Sequence, residues 1–380
     1  MGRHQGVPVK LALLQDQLLT KAGSERIFLY MAEEFPEADL YTFCYNRETT
    51  WPGFRDFAIN THPLGGLVRS HGTFKMLFPA IARFMEHWDF SKYDVVLTSS
   101  ATTAKYVRRA GGFHVCYCYY PTRALWDFDR YFGDRGGLAS RILRALLPYF
   151  RKRDYEAAQR VDRFVAISNA SSEAISRHYD RAADVLYCPV DLDRFGAARG
   201  TPKQDYFLLV SRLQSWKLVD YAVEAFNVLG LPLRIIGRGP EEARLKAMAR
   251  PNISFLGEVD DPTLVRSYAE ARAVVFTPEL EYGLVPIEAI ATGTPVIALG
   301  RGGVLETMVG TDDKRGRQPT AVFFEDPTCS SLVDAVHRFE KLHFPPEVLV
   351  AHAATFGIPA FKAQLRNIVV QAGSDKRSGR

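Results

Sequence analysis

The sequence predicts an α/β protein made of two doubly wound domains, each with a parallel sheet between layers of helices. Apolar runs of strand length alternate with segments of helical period along most of the chain. Many of these runs are apolar at every position, which is typical of parallel strands covered by helices on both faces. The chain also has 380 residues, more than one ordinary hydrophobic core accommodates, and this length favours two domains.

The predicted strands fall into two groups on either side of a polar segment, 191–204, that contains glycine and proline. The first group is 9–14, 39–45, 94–99, 114–120 and 163–168, and the second is 206–211, 233–237, 253–257, 273–277, 295–299 and 321–324. We therefore expect an N-terminal domain over 1–195 and a C-terminal domain over 196–345. Helices over 346–380 follow, with a disordered tail from Gly373. Because ligands of open α/β sheets bind at the carboxyl ends of the strands, two such domains facing each other predict a site in the cleft between them.

Composition narrows the class of protein. The cysteines stand near no histidine cluster and are interpreted as buried free thiols: Cys44, Cys116, Cys118, Cys188 and Cys329. No run approaches the roughly 18–20 apolar residues of a membrane span, and the first residues lack the apolar core of a secretory signal. We expect a soluble, cytoplasmic protein that needs no metal and no cofactor. The net charge is only +5 and the sequence contains no nucleic-acid-binding motif, so we do not expect nucleic acid as a partner.

The strongest functional signal is the segment TPELEYGLVPIEAIATGTPVIALGRGG at 277–303. A predicted strand ends at Thr277 and leads into a short loop that carries Glu279, Glu281, Tyr282 and Gly283. Pro286 then suits the first turn of a helix, because its φ is fixed near the helical value. This arrangement predicts a ligand-binding loop that runs into a helix N-terminus.

That helix N-terminus is suited to a diphosphate. The backbone N–H groups of Gly283, Leu284 and Val285 lie at or just before it, where donors are unpaired and the helix dipole is positive. Glu288 falls on the same first turn. Its carboxylate either accepts hydrogen bonds from ribose hydroxyls or balances the helix dipole, and the pattern alone favours neither interpretation.

Two further loops follow predicted strands. Arg212 and Lys217 flank the loop after the first strand of the second domain, where fixed cations stabilise a departing diphosphate. Such loop cations are also common as solvated surface charges. Gly23 follows the first strand of the chain and allows close approach of a ligand, with Ser24 as a helix N-cap, although simple turn chemistry accounts for both residues.

The basic segment 138–160 has two interpretations. Leu138, Ile142, Ala145, Leu146, Pro148 and Tyr149 approximate an apolar stripe on a helix that Pro148 breaks or kinks. Arg151, Lys152 and Arg153 lie beside this stripe. The segment is either a core-facing helix with a solvated basic face, or a surface that docks reversibly on an anionic inner membrane leaflet.

The chain resembles the nucleotide-sugar glycosyltransferases with two Rossmann-like domains, the GT-B fold, and in particular retaining family 4 with its bacterial mannosyltransferase-like members. The resemblance extends from Val9 to about Ala372. It is carried by the segment 277–303, by SRLQSWK at 211–217, by GRGPEE at 237–242 and by YCPVDLDRF at 187–195.

The resemblance implies roles for individual residues. Arg212 and Lys217 bind the donor diphosphate, Glu288 holds the ribose, and backbone from Gly257 to Val259 receives the base. The loops of Gly23 and Gly237 also face the donor, and the final helix crosses back onto the first domain. The implied donor is a nucleoside-diphosphate hexose, GDP-mannose before UDP-hexoses, and the implied acceptor is a glycan or a lipid-linked molecule.

Three positions depart from the family pattern. The family usually has a second glutamate eight positions before Glu288, where this chain has Leu280 between Glu279 and Glu281. Tyr119 stands where a histidine is usual, and Ala22-Gly23 stands where a Gly-Gly pair is common. We take Glu281 and Tyr119, with Arg212 and Lys217, as the catalytic candidates.

Other functions are less consistent with the sequence. A nicotinamide-dependent dehydrogenase needs G-x-G-x-x-G after its first strand, whereas GRGPEE lacks the third glycine and lies in the second domain. A sugar phosphorylase needs pyridoxal phosphate on a lysine, and the sequence nominates none. The remaining alternative is a catalytically silent homologue that acts as a binding or scaffold subunit, which Leu280 and Tyr119 motivate.

Overall fold

The computed structural model describes residues 9–108, 111–129 and 138–377. These residues form two compact units. The first unit contains the described residues up to Tyr187 together with those from Phe361 onward, and the second unit is Cys188–Ala360.

The first unit is built on a parallel sheet. Its strands are β1 (Leu11–Gln15), β2 (Asp39–Thr42), β3 (Ile59–Thr61), β4 (Val95–Ser100), β5 (Phe113–Cys118), β6 (Arg163–Ala166) and β7 (Ala183–Val185). They lie in the order β3-β2-β1-β4-β5-β6-β7. The helices are α1 (Gly23–Glu34), α2 (His71–Met76), α3 (Phe78–Glu86), α4 (Arg123–Trp126), α5 (Leu138–Gln159) and α6 (Asn169–Tyr179).

The second unit has the same construction. Its strands are β8 (Phe207–Val210), β9 (Leu233–Ile236), β10 (Ile253–Gly257), β11 (Val274–Phe276), β12 (Val296–Leu299) and β13 (Ala321–Phe324), in the order β10-β9-β8-β11-β12-β13. The helices are α7 (Leu192–Gly196), α8 (Val219–Leu229), α9 (Glu242–Met248), α10 (Asp261–Glu270), α11 (Leu284–Ala291), α12 (Val304–Thr307), α13 (Cys329–Phe339) and α14 (Pro346–Ala354). A last helix, α15 (Ile358–Arg377), begins in the second unit and continues in the first.

Every strand predicted from an apolar run is present. In β1, β4 and β12 all residues are buried, as expected for parallel strands with helices on both faces. The sequence did not predict β3 and β7, which are three-residue strands at the two edges of the first sheet. Their residues are partly exposed, so they lack the apolar signal that marks the central strands.

The strand order creates one switch point in each sheet. In the first unit the chain adds strands on one side of β1 and then on the other, beginning with β4. In the second unit the same reversal falls between β8 and β11. Loops that follow these strand pairs diverge at the carboxyl edge, which is where open α/β sheets bind ligands.

The limits of the two units differ from the predicted domain boundaries at 195 and 345. Val190 pairs with Gly357, and Arg194 donates to Asp261, so the segment with α7 packs in the second unit. Helix α14 contacts α11 in the same unit. The expected disorder from Gly373 was wrong up to Arg377, because α15 continues to that residue and Lys376 Nζ lies 2.7 Å from Asp94. Residues 378–380 are outside the described part of the chain.

Helix α5 differs from its prediction in two respects: its continuity at Pro148 and the exposure of its apolar stripe. It continues through Pro148, and residues 141–146 are solvent-exposed. Ile142 is 52% exposed, Leu146 44% and Tyr149 60%, so this half does not face a core. Leu138 is at the edge of the described chain, and its side chain is not described. In the described residues no helix is both long and apolar enough to cross a membrane.

Two of the three basic residues after Pro148 point toward the domain instead of solvent. Arg151 Nε donates to the carbonyl of Leu125 at 2.8 Å, and Arg153 Nη2 lies 2.6 Å from the buried carboxylate of Glu86. Lys152 is exposed. The prediction that all three contribute to a free basic face was therefore wrong for Arg151 and Arg153, because their guanidinium groups bond to Leu125 and Glu86.

Asp154 anchors α5 to the first sheet. Its carboxylate is fully buried and lies 3.0 Å from Lys105 Nζ. It also accepts hydrogen bonds of 2.6–2.9 Å from the side chains of Tyr106, Thr122, Trp126 and Tyr179. Although burial opposes ionisation, Lys105 and these donors hold the pKa of Asp154 below its usual value. The carboxylate thus joins the segments after β4 and β5 to α4, α5 and α6.

We predict that Asp154→Ala destabilises the first unit by about 3–5 kcal/mol, because Lys105 would remain charged and buried without its partner. Asp184→Ala is the matched control, since Asp184 is half-exposed and pairs with Arg163 at the surface. It should lower the free energy of unfolding by less than about 1 kcal/mol. Urea unfolding followed by tryptophan fluorescence measures both, because Trp51, Trp88 and Trp126 all lie in the first unit. Equal midpoints for the two variants would contradict the prediction.

Candidate functional site

The loops at the carboxyl edge of the second sheet are bonded to one another. Leu213, after β8, donates its N–H to the carbonyl of Arg238 at 2.9 Å, after β9. Gly237 donates to Gly257 at 2.7 Å, and Gly303, after β12, donates to Leu280 at 2.8 Å. The hydroxyl of Thr277, after β11, donates to the carbonyl of Lys217 at 2.7 Å. This last bond crosses the switch point between β8 and β11.

Two glycines allow this close packing. Gly237 has φ +128°, and a Cβ placed on it would lie 1.9 Å from the carbonyl oxygen of Ser211. A Cβ on Gly303 would lie 2.0 Å from the carbonyl oxygen of Glu281. Backbone therefore lies against backbone at both places, and no side chain fits between the loops.

Arg212 and Lys217 follow β8, as predicted. Arg212 is exposed, and within the described chain no carboxylate pairs with it. Lys217 ends a 3-10 helix (Ser215–Lys217), and its ammonium lies 4.3 Å from the centroid of the Trp216 ring. Leu218, the next residue, has φ +55°, an uncommon conformation for a branched side chain. Together with the Thr277 bond, this turn fixes where Lys217 leaves the sheet.

The loop after β11 is extended at Leu280, which forms a parallel bridge with Gly302. Glu279 and Glu281 flank this bridge, and both are half-buried. Glu281 lies in a bend directly after the bridge, and the position expected from the family pattern is a leucine.

Helix α11 begins where the sequence indicated. Gly283 is its buried N-cap, and Leu284 and Val285 are its first two residues. Their N–H groups have no acceptor within the helix, and Pro286 in third position has no N–H. Glu288 is the fifth residue, just after the first turn on which it was expected.

Tyr268 is a site residue that the sequence did not reveal. Its hydroxyl donates to Glu288 Oε2 at 2.8 Å from a fully buried position on α10. Burial, and then the charge of Glu288, raise the pKa of Tyr268 well above its usual value, so it stays a donor. Tyr268 therefore orients Glu288. No sequence signal distinguishes it from an ordinary core tyrosine.

The remaining predicted residues of this edge lie close by. Gly257 ends β10 with φ +68°, beside the guanidinium of Arg238, and Val259 follows it half-buried. Tyr282 was predicted to bind donor, but its hydroxyl donates to the carbonyl of Cys188 at 2.7 Å. That bond ties the loop after β11 to the start of the second unit.

In the first unit, Tyr119 has a positioning role. Its hydroxyl forms 3.0 Å hydrogen bonds with the carbonyl of Ser24 and with the hydroxyl of Ser99. These bonds connect the end of β5 to the start of α1, where Gly23 is the first helical residue. Ser24 was predicted as the N-cap of this helix, but Ala22 occupies that position and Ser24 donates to Glu25.

Asp16 occupies the switch point of the first sheet. Its two carboxylate oxygens accept hydrogen bonds of 2.6–2.9 Å from the backbone N–H groups of 101–104, which follow β4. The side chain is 4% exposed. These bonds join the loop after β1 to the segment after β4.

Acidic side chains do not cluster with histidine or cysteine in the described residues: no group of three or more there could hold a metal ion. Asp191 caps α7 by accepting from the N–H of Arg194. Asp127 and Asp129 pair with Arg123 and Arg144. Of the five cysteines, Cys329 is partly exposed and the others are buried, and none forms a disulfide.

Two family models match consecutive parts of the chain. Residues 22–194 match the model described as Glycosyltransferase Family 4. Residues 191–348 match the model described as Glycosyl transferases group 1. The chain belongs to this family of glycosyltransferases, and the predicted resemblance is confirmed.

Individual proteins agree with this assignment. D-inositol 3-phosphate glycosyltransferase 2 from Catenulispora acidiphila is 31% identical over 57% of this chain and 58% of that protein. The alpha-1,3/1,6-mannosyltransferase ALG2 from Dictyostelium discoideum is 22% identical over 84% of this chain and 83% of that protein. The structure of Anabaena HepE in complex with UDP-glucose superposes with a TM-score of 0.67 and 16% identity, covering 96% of this chain and all of that one. The predicted fold class, two Rossmann-like α/β domains of the GT-B type, is confirmed.

We predict that Gly303→Ala lowers the free energy of unfolding of the second unit by about 1–3 kcal/mol, because the new methyl group meets backbone that cannot move aside freely. Gly72→Ala is the control, since the nearest atom to its Cβ is 3.8 Å away; it should change stability by less than about 0.5 kcal/mol. Trp216 fluorescence during urea unfolding reports on the second unit. An unchanged free energy of unfolding in Gly303→Ala would show that the loops do not pack as closely as described.

Proposed function

We propose that this protein transfers a hexosyl group, mannosyl in the first place, from a nucleoside-diphosphate sugar to a glycan or lipid-linked acceptor. The transfer retains the anomeric configuration and serves polysaccharide or glycolipid assembly. The observation that supports this most is the bonded loop edge of the second unit: Arg212 and Lys217 follow β8, and the N-terminus of α11 follows the neighbouring strand β11 at the switch point.

The diphosphate of the donor binds at this edge. Arg212 offers a fork of donors, Lys217 a point charge, and Leu284 and Val285 their first-turn N–H groups. Negative charge on the diphosphate grows as the glycosidic bond breaks, and fixed cations stabilise it more than they stabilise the bound donor. The Thr277 bond and the turn at Leu218 position the backbone of this loop before the reaction starts.

Neighbouring residues bind the rest of the donor. Glu288, held by Tyr268, accepts hydrogen bonds from the ribose hydroxyls, and backbone from Gly257 to Val259 receives the base. Glu281 and Glu279, on either side of Leu280, bind the hydroxyls of the transferred sugar. GDP-mannose is the preferred donor, since mannosyltransferases are among the relatives, and UDP-hexoses come next, since HepE was solved with UDP-glucose.

A panel of nucleotides tests this proposal. GDP, UDP and ADP, each with its hexose conjugates, are compared by thermal shift and then by transfer or hydrolysis of the donor. A ligand at 100 times its Kd stabilises by about 2.7 kcal/mol, which is readily detected. The anomeric configuration of any product is read by NMR, and an inverted product would contradict retention. Binding without turnover would favour the alternative, a silent homologue that acts as a scaffold subunit.

We predict that Arg212→Ala and Lys217→Ala each reduce turnover by roughly 10²–10³-fold while the protein stays folded. The control is Lys341→Ala, which removes an exposed cation of the second unit after α13. Initial rates at saturating donor measure the effect, and circular dichroism checks the fold. If both variants kept the rate of the control, the assignment of these two residues would be wrong.

We predict that activity survives EDTA. Arg212, Lys217 and the N-terminus of α11 provide the positive charge that a divalent cation supplies in other transferases. The assay compares rates with and without chelator, after removal of bound metals from all buffers. Complete loss that Mg²⁺ restores would refute the metal-independent mechanism.

We further propose peripheral docking of the first unit on an anionic membrane through the exposed half of α5. Ile142, Leu146 and Tyr149 recur at helical spacing and form an exposed apolar stripe. Arg141 and Lys152 lie on the adjacent row of the same helix, both exposed. An apolar stripe with cations beside it suits the interface of an anionic leaflet, where a lipid-linked acceptor is located.

We predict that Arg141→Ser with Lys152→Ser weakens binding to anionic vesicles by roughly tenfold or more, since each cation near such a surface contributes about 1 kcal/mol. The matched control replaces Arg250 and Lys341 of the second unit by serine. Co-sedimentation is measured at low and high salt, and binding should fade as salt screens the charges. Equal binding to neutral and anionic vesicles, or none to either, would contradict docking.

A further inference from the structure

Three consecutive side chains of the first unit hold the backbone of another loop. That loop is the first loop, 16–22, which joins β1 to α1. The three hydrogen bonds run from Thr49 Oγ1 to the carbonyl of Leu19 at 2.6 Å, from Thr50 Oγ1 to that of Thr20 at 3.2 Å, and from Trp51 Nε1 to that of Ala22 at 3.0 Å. We call residues 49–51 the clamp.

Both ends of the clamp are fixed in the first unit. Before it, Leu18 and Tyr45 form a parallel bridge that joins the loops after β1 and β2. After it, the 3-10 helix Pro52–Asp56 packs on α1, where the fully buried ring of Phe54 stacks on Phe28 with centroids 6.0 Å apart. The clamp is therefore a supported segment and not a set of surface side chains that fold over the first loop from solvent.

The indole of Trp51 is held on two sides. Its N–H donates to the carbonyl of Ala22, which is the N-cap residue of α1. The guanidinium of Arg26 lies 4.9 Å from the centroid of its ring, at a distance typical of a cation–π contact. Arg26 belongs to the first turns of α1 and donates to the hydroxyl of Tyr30 at 2.6 Å. The start of α1 thus orients the same side chain that binds its N-cap carbonyl.

The first loop is also held at Thr20 and Ser24. The carbonyl of Thr20 accepts from Thr50, which is 1% exposed, and the hydroxyls of Thr20 and Ser24 donate to the buried carboxylate of Glu25 at 2.8 and 2.9 Å. The carbonyl of Ser24 accepts from Tyr119. Because carbonyl oxygens repel an anion, directing them at protein donors favours the approach of an anionic substrate to the exposed residues 21–23.

The first loop borders the switch point between β1 and β4, where open α/β sheets bind ligands. We propose that the clamp is a positioning element of the transfer reaction, and that it sets the backbone of the first loop in the geometry that the reacting nucleotide sugar requires. The inference rests on the proposed function, because it assigns the clamp to that reaction. Thr49, Thr50 and Trp51 act through the first loop, so they are positioning residues and not catalytic ones.

Conservative variants of the full chain test the clamp by steady-state kinetics with the best donor of the nucleotide panel. Thr50→Val removes the hydroxyl at similar volume, and Trp51→Phe removes the indole N–H but keeps an aromatic ring. Each should lower kcat roughly tenfold or more and change KM for the donor less than about twofold, because the groups that bind the donor remain while their geometry at the transition state is lost. Thr50→Ser keeps the hydroxyl and should restore kcat.

Two matched controls remove the same groups elsewhere. Thr355→Val deletes a hydroxyl that donates to the carbonyl of His352 at 2.7 Å on the surface of the second unit. Trp88→Phe deletes the indole N–H of another half-buried tryptophan of the first unit. Both variants should keep kcat and KM. Thermal unfolding confirms that every variant is folded at the assay temperature.

The indole N–H signals of the four tryptophans provide a second readout, by NMR of isotope-labelled protein, that does not depend on turnover. The signal of Trp51 is identified by its loss in Trp51→Phe. It should shift in Thr50→Val, because both residues hold one loop. It should also shift in the wild type when the nucleotide sugar is added, since its acceptor carbonyl belongs to the loop assigned to the substrate. The signal of Trp88 should stay in place.

Wild-type kcat in both clamp variants would overturn the inference, even if their unfolding temperatures fell, because the clamp would then support the fold alone. A Trp51 signal that does not move when the donor binds would overturn it as well, and this measurement decides the matter in a protein that binds donor without turnover. A wild-type protein that binds no nucleotide of the panel would instead contradict the proposed function, and the inference with it.

Discussion

Contact between backbone and backbone at the carboxyl edge of the second sheet is the constraint on which the candidate site depends. Gly237 lies against Ser211 and Gly303 against Glu281, at distances that leave no room for a Cβ. These contacts, and the hydrogen bonds that accompany them, join the loops after β8, β9, β11 and β12. The backbone that carries the cations and carboxylates of these loops is therefore positioned before any ligand arrives, which favours electrostatic stabilisation of a changing charge.

The two switch points of the chain are used differently. In the first unit, the N–H groups of 101–104 converge on Asp16, so the protein supplies its own anion there. In the second unit, a hydrogen bond from the hydroxyl of Thr277 to the carbonyl of Lys217 joins the loops at the equivalent place. The loop after β8 provides positive charge there. One sheet edge is closed by an internal carboxylate and the other presents cations, which is why the diphosphate is assigned to the second unit.

Helix α5 combines two functions along its length. Its second half is fixed by Asp154, Arg151 and Arg153, which bond to groups of the first unit. Its first half presents Ile142, Leu146 and Tyr149 to solvent. The fixed half makes the exposed half a rigid surface, because a continuous helix passes from one to the other.

The sequence by itself determined the class of fold and the central strands. Strands covered on both faces must be apolar at every position, so β1, β4 and β12 are visible in composition alone. Edge strands such as β3 and β7 are half-exposed and lack that signal. The positions of the site loops could also be predicted, because glycine, proline and a charged residue after a strand each have a local cause: a close approach of backbone, the start of a helix and a cation at the sheet edge.

Tertiary structure decided which of those residues are available. Tyr119 and Tyr282 stay predicted site residues, and the structure adds that their hydroxyls bond to backbone carbonyls of Ser24 and Cys188. Asp16 is engaged by backbone from another loop, and Tyr268 reaches Glu288 from a different helix. These partners lie 20 to 95 positions apart in the chain. Local pattern contains no information about them, because hydrogen bonds of this kind are selected by packing and not by spacing.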